Sequence, residues 1–170
     1  MDGFFIVNDA DTDNFYISGL EDPTSWNALD FEAASVSPDA ALAIAATDSI
    51  LYILGSETVQ PYYNSGNADF PYAAYLNGTQ EAGIAAPYSL AGSDDGVFYL
   101  ATTPEGGLFV WRIQGIEGSR VSGDEQEQFM IENVIDPSNT YAFMYKLGSR
   151  SFYVLQLNDG EHTLVYNMRS

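Results

Sequence analysis

Three short apolar runs, separated by turn residues, recur four times along this chain. The first set is Phe4–Val7, Phe15–Ile17 and Trp26–Leu29; the second is Leu42–Ala45, Leu51–Leu54 and Val59–Tyr63. The third is Tyr88–Ala91, Phe98–Leu100 and Phe109–Arg112, and the fourth is Tyr141–Met144, Phe152–Leu155 and Leu164–Asn167. Each middle run starts 9 to 11 residues after the first, and each third run 8 to 12 after the second. Val, Ile, Tyr and Phe dominate the runs, and these residues suit a pleated, half-buried surface. Between them stand "SDDG", "PEGG", "LGSR" and "NDGEH", whose residues tolerate positive φ. Such spacing has room for a tight hairpin and nothing longer, so each set reads as an antiparallel meander.

The middle runs repeat every 36 to 54 residues. A weaker fourth strand follows the first three sets, in "FEAASV", "YAAYL" and "SRVSG". Four strands per unit at that period is the signature of propeller blades, with an ordinary β-sandwich as the alternative. The Ala-rich "PDAALAIAATDSI" invites a helix, but Pro38 and Asp39 open it between strand-like neighbours, and a strand is expected. The expected fold is all-β: a β-propeller-like array of antiparallel meander blades, a fragment of a larger propeller. The expected organisation is one domain, 1–170, of about four blade-like units at roughly 1–37, 38–78, 79–123 and 124–170. The last is expected to be incomplete, because the sequence stops at "VYNMRS" after its third run. Met1 reads equally as a native start or as an added residue.

With 46% apolar residues, 170 residues are enough for a core. The charge is lopsided: 24 acidic residues against 5 basic ones, a net charge of −19. Such a surface repels phosphate backbones and anionic headgroups, so direct nucleic-acid or membrane binding by this segment is not expected. Its partners should present a basic or a neutral apolar face, although an origin in salty surroundings accounts for the same acidity. No cysteine is present, which removes disulfides, thiolate metal sites and a Cys nucleophile. The start "MDGFFIVNDADTDN" has no basic n-region, and the apolar runs are too short to span a bilayer as helices.

Candidate sites resolve mainly into turns. Asp9, Asp11 and Asp13 alternate as calcium ligands do, but Asn14 stands where the EF-hand loop needs glycine and Leu20 where it needs glutamate. A solvated acidic hairpin is expected there, with cation binding left open. His162, in "NDGEHT", has neither a G-x-S-x-G partner nor further nitrogen or sulfur ligands. Asp94, Asp95, Glu105, Asp159 and Glu161 fall in turns, which argues against the paired carboxylates of a glycosidase. Trp26 and Trp111 fit core packing between blades, or a carbohydrate platform. Asn77-Gly78-Thr79 is a sequon without a secretory signal. No catalytic, cofactor-binding or metal residue is therefore assigned, and no enzyme is expected.

Five blocks in a fixed order carry a resemblance: "SWNALDF", "YYNSGNADFPY", "APYS", "VWR" and the final "SFYVLQL…TLVYN". Over about residues 14 to 167 the chain resembles the packaged-DNA stabilisation, or tail accessory factor, family of short-tailed bacteriophages. "LNGTQEAGI" and "DEQEQFMIENVIDPSNTYAF" depart from that pattern and are candidate partner-specific surfaces. The resemblance implies a β-propeller-like head-completion protein that assembles in several copies below the portal ring. It implies closure of the exit channel, stabilisation of packaged DNA, and a platform for the tail needle and for fibres or spikes. Portal protein, tail components and further copies would be its partners, no cofactor is implied, and it would assemble in the host cytoplasm into the virion's head–tail junction. A carbohydrate-binding adhesin-type module is the alternative, and a propeller glycosidase comes behind it.

Overall fold

β-Branched and aromatic runs form the middle strand of each sheet, and the turns beside them determine the hairpins. A computed structural model describes residues 1–9, 11–34, 39–47, 49–158 and 160–168. Pro38, Asp159 and the end of the expected strand "FEAASV" lie outside the described residues. The chain is mostly β, in four antiparallel sheets, and divides into two compact units, Met1–Glu81 and Ala82–Ser170.

The first unit holds two sheets. β1 (Ile6–Asn8), β2 (Asn14–Gly19) and β3 (Asp22–Ala33) form the first. The second is β4 (Ala41–Thr47), β5 (Ile50–Gly55), β6 (Val59–Asn64) and β7 (Tyr72–Ala74), paired in chain order. The Ala-rich run is thus the strand β4, zipped to β5 from Ala41↔Gly55 to Thr47↔Ile50. Phe15 and Ile17 of β2 pack with Leu51, Ile53, Tyr62 and Tyr72 of the second sheet in one core. Phe15 meets Tyr62 edge-on at 5.0 Å and Phe70 at 5.6 Å, the geometry that aromatic quadrupoles prefer. Two expected strands, Trp26–Leu29 and the start of "FEAASV", turn out to be one. β3 runs twelve residues straight through Asp30. Tyr16 pairs with Phe31 across it, with register shifts between Tyr16 and Gly19, so cross-strand pairing overrides the low strand propensity of Asp30.

The second unit holds the third sheet, built from β8 (Gly83–Ile84), β9 (Ala91–Ser93), β10 (Gly96–Thr102), β11 (Phe109–Gln114) and β12 (Glu117–Arg120). Its fourth sheet is β13 (Tyr141–Leu147), β14 (Arg150–Gln156) and β15 (Thr163–Asn167). Both β8 and β9 pair with one side of β10, at its two ends. The expected strand Tyr88–Ala91 is half wrong. Pro87–Ser89 form a 3₁₀ turn, and pairing begins only at Ala91. Pro87 has no N–H to give to a ladder, which favours the turn. Phe98, Leu100 and Val110 pack with Tyr153, Leu155 and Tyr166, and Phe98 stacks on Tyr153 at 5.8 Å.

The helix α1 (Asp124–Asn133) was not expected from sequence. Asp124, Glu125 and Glu127 fill its first turn, where the helix dipole favours negative charge. Gln126 Oε1 accepts a hydrogen bond from the Gly123 N–H at 2.9 Å, closing the N-terminus. Its apolar residues are three in a row: Met130 is buried, Phe129 partly so, and Ile131 exposed. Among the described residues no helix is long and apolar enough to cross a membrane.

Candidate functional site

Aromatics crowd both ends of "YYNSGNADFPY", and its small polar centre builds the β6–β7 connection. Asn64 Oδ1 accepts from the Gly66 N–H at 2.9 Å, and Gly66 adopts φ +70°, which glycine takes without strain. The Ser65 N–H and hydroxyl both donate to the Pro71 carbonyl, at 2.7 and 3.0 Å. Asn67 Oδ1 accepts from the Asp69 N–H at 3.1 Å. The loop's polar groups are thus largely consumed in holding its own shape. Phe70 anchors it from below against Phe15 and Tyr72, and the Tyr72 hydroxyl donates to the Met1 carbonyl at 3.0 Å. Burial, with the Asp2 charge beside it, pushes the Tyr72 hydroxyl up to about 12.

This loop forms one wall of a cleft of about 470 Å³ in the first unit, with Phe4, Ile17, Leu20 and Pro71 supplying apolar surface. Asp30 and Asp69 stand on it, and Asp30 already accepts from the Asn27 side-chain amide at 3.0 Å. The two carboxylates make this cleft unfavourable for a phosphate.

The acidic hairpin of Asp9, Asp11 and Asp13 is held by its own chain. The Asp9 carbonyl accepts from the N–H and the hydroxyl of Thr12, at 3.2 and 3.1 Å, while Asp11 adopts φ +66°. Asp11 and Asp13 share an open cleft of about 280 Å³ with Asp39. Asp39 is buried, and its Oδ2 accepts from the N–H groups of Glu57 and Thr58, at 2.6 and 2.8 Å. Its role is to close the β5–β6 turn. Among the described residues no group of three or more His, Cys, Asp or Glu side chains has a metal-holding arrangement.

The remaining candidates are scattered. His162 is exposed, with its ring edge-on to Phe129 at 4.9 Å. Asp94 pairs with Lys146 at 2.7 Å across the surface. Trp26 is 43% exposed, with its indole N–H donated to the Pro23 carbonyl at 2.8 Å, so the expected core packing does not hold for it. Trp111 lies edge-on to Phe109 at 5.7 Å. Thr79 donates to Gln60 Oε1 at 2.9 Å.

Sequence reasoning missed a buried polar joint on Ser89, the last residue of "APYS". Its hydroxyl donates to the Ala86 carbonyl at 2.7 Å and accepts from the Leu100 N–H at 2.8 Å. Its own carbonyl accepts from the Tyr153 hydroxyl at 2.8 Å, which ties the third sheet to the fourth. A second joint uses Ser122, whose hydroxyl accepts from the Val110 N–H at 2.9 Å and donates to Glu127 at 2.8 Å. Glu127 also pairs with Arg120 at 3.0 Å, and Arg120 lies over the Phe109 ring at 4.3 Å. A proline two residues before a serine, ahead of a strand, was the available signal, but nothing local says that the serine is buried.

Antiparallel meanders joined by short, internally bonded turns are the units from which propeller-type proteins are built. Along residues 1–170 the chain matches the family model described as Bacteriophage P22 Gp10, beta-propeller. The chain belongs to this phage DNA-stabilisation family, whose members are virion structural proteins. No curated protein matches it in sequence.

Proposed function

We propose that this chain is part of a head-to-tail connector that closes the portal channel after packaging and so stabilises the packaged DNA. The family match along the full sequence carries this reading. In it the four sheets are blades of a propeller, at roughly 1–37, 38–78, 79–123 and 124–170. The chain acts by assembly rather than catalysis. It assembles in the host cytoplasm and sits at the head–tail junction, in several copies. Its neighbours there are portal protein and tail components such as needle, fibres or spikes. Retention of DNA is by blocking the exit: at a net charge of −19, gripping phosphates is electrostatically disfavoured.

The test is to mix the protein with purified portal rings and image the product. A defined ring-shaped complex is expected, and free portal beside free protein at high concentration would refute the reading. On a DNA column at low salt the protein should flow through; retention that falls steeply with salt would contradict exclusion of the backbone. The exposed Trp26 favours a second reading, a carbohydrate-binding module. A glycan array that responds to the protein, and loses the response in Trp26→Ala, would support that reading instead.

A further inference from the structure

All five Lys and Arg residues stand at position 112 or later, and the one histidine is His162. The first unit therefore carries 13 Asp and Glu residues and no basic side chain to meet them. Two of these carboxylates, Asp30 of β3 and Asp69 of the β6–β7 loop, stand on the cleft of about 470 Å³. Phe4, Ile17, Leu20 and Pro71 give the same cleft apolar walls, and Leu20 is 64% exposed. Donors along it are largely spent. The Ser18 hydroxyl donates to the Gly19 carbonyl at 2.7 Å, and the Asn64 amide to Asp2 at 3.0 Å. The Gly66 and Asp69 N–H groups go to Asn64 and Asn67, at 2.9 and 3.1 Å. Acceptors remain. Asp30 meets the Asn27 amide with one oxygen only, and the Asp69 carboxylate has no partner among the described residues. Apolar walls beside spare carboxylate oxygens complement a group that is cationic, donates hydrogen bonds and rides on an aliphatic stem.

We infer that this cleft docks an arginine side chain of a different protein, with its stem along the apolar walls and its guanidinium at Asp30 and Asp69. Arginine fits better than lysine, because its planar head spreads several donors over two carboxylates and sheds water more readily than an ammonium. A metal ion fits worse. Calcium takes about six to eight oxygens, and among the described residues no group of three or more ligating side chains is arranged to hold one. A second copy of the chain is a poor source of the cation. Its Arg112 is engaged with Gln114, Arg120 with Glu127 and Lys146 with Asp94, and its own first unit has none to give. Like-charged first units repel one another, whereas a basic surface on another protein is drawn to the whole unit and then fixed in register by the cleft. A single partly exposed ion pair is weak, so the contact orients a partner more than it holds one. This inference rests on the proposed function only in requiring a protein partner.

The test is an NMR titration of the isotope-labelled full chain at low salt with the blocked peptide acetyl-Gly-Arg-Gly-amide. Saturable shifts are expected at the amides of Gly19, Leu20, Gly66 and Ala68. The same peptide with citrulline, which keeps the shape and loses the charge, should leave those amides in place. Asp30→Asn and Asp69→Asn should each weaken binding by up to about fivefold, and the double variant by more than about tenfold. Asp30→Asn keeps an acceptor for Asn27, so the variants should fold, and melting curves check that. Glu105→Gln, in an exposed turn of the second unit, should bind as the parent does. Shifts scattered over the acidic surface and unchanged in the double variant would mean diffuse counterion binding, and would overturn the inference. So would equal binding of the citrulline peptide. Putrescine filling the cleft at lower concentration than the arginine peptide would also overturn it, by making the cleft a site for a free amine. No portal is present, so failure here leaves the connector untouched, and failure with portal rings leaves the cleft standing.

Discussion

Asp39 shows how a single acidic residue can be structural in a chain full of solvated ones. It takes two backbone N–H groups at the β5–β6 turn, and Gly55 exists to let it in. A Cβ on Gly55 would lie 2.3 Å from Asp39 Oδ2. Gly55→Ala must therefore expel the carboxylate, and Asp39→Ala removes it. Each should cost about 2–3 kcal/mol, since the buried donors lose their acceptor. Together they should cost about as much as Asp39→Ala alone, because the clash disappears with its partner. Urea unfolding of the two single variants and the double variant measures this, and simple additivity would refute the coupling. Tyr72 gives a prediction in pH. Its folded value of about 12 lies above the roughly 10 of an unfolded tyrosine, so the native state keeps the proton longer. Its stabilising share is complete below pH 10 and is lost as pH rises toward 12. Tyr72→Phe should flatten the fall of stability over that window. An unchanged slope, read by urea midpoints at several pH values, would mean that Tyr72 does not titrate with unfolding.

At the scale of elements, α1 depends on one side chain. Glu127 holds Ser122, which holds the Val110 N–H, and it also holds Arg120. Glu127→Gln keeps an acceptor for Ser122 and loses only an ion pair whose Arg is half exposed. Such pairs are worth about 0–1 kcal/mol. Glu127→Ala leaves the buried Ser122 hydroxyl short of a partner and should cost about 1–3 kcal/mol. Equal losses in the two variants, by thermal or urea unfolding, would show that charge rather than the hydrogen-bond relay docks the helix. This helix was also the least legible element in the sequence. Its run "DEQEQFMIEN" has three adjacent apolar residues and no i, i+3 or i, i+4 spacing, so it carries no helical period to read. The middle strands were legible for the opposite reason. Leu51–Leu54, Phe98–Leu100 and Phe152–Leu155 join strong strand propensity to turn residues on both sides. The single strand β3 was hidden because its pairing partner lies outside the local run, and the turn at Pro87–Ser89 because nothing in the run tells that the Ser89 hydroxyl is buried and bonded to Leu100. For the candidate site, the block "YYNSGNADFPY" stood out in the sequence, but not that its polar groups would be spent internally.

For the whole molecule, charge balance makes a prediction with a definite sign. A net charge of −19 stabilises no fold by itself, and among the described residues the ion pairs are Arg120–Glu127 and Lys146–Asp94, both exposed on at least one side. At about 0.01 M salt the screening length is roughly 30 Å, so carboxylates repel across much of each unit; at about 0.1 M it shrinks to roughly 10 Å. Unfolding separates those charges, so repulsion weighs against the native state and salt should relieve it. The two pairs lose little by the same screening. Stability should therefore rise by about 1–2 kcal/mol, or several degrees in melting temperature, between those salt levels. Sodium and potassium chloride should act alike, because the effect depends on ionic strength. Calcium chloride at matched ionic strength probes the alternating Asp9, Asp11 and Asp13: an equal effect fits a hairpin held by Thr12 and Asp9. A calcium effect well beyond the matched monovalent salts would reveal a cation site among those carboxylates, and a fall of stability with sodium chloride would mean that the ion pairs outweigh the repulsion.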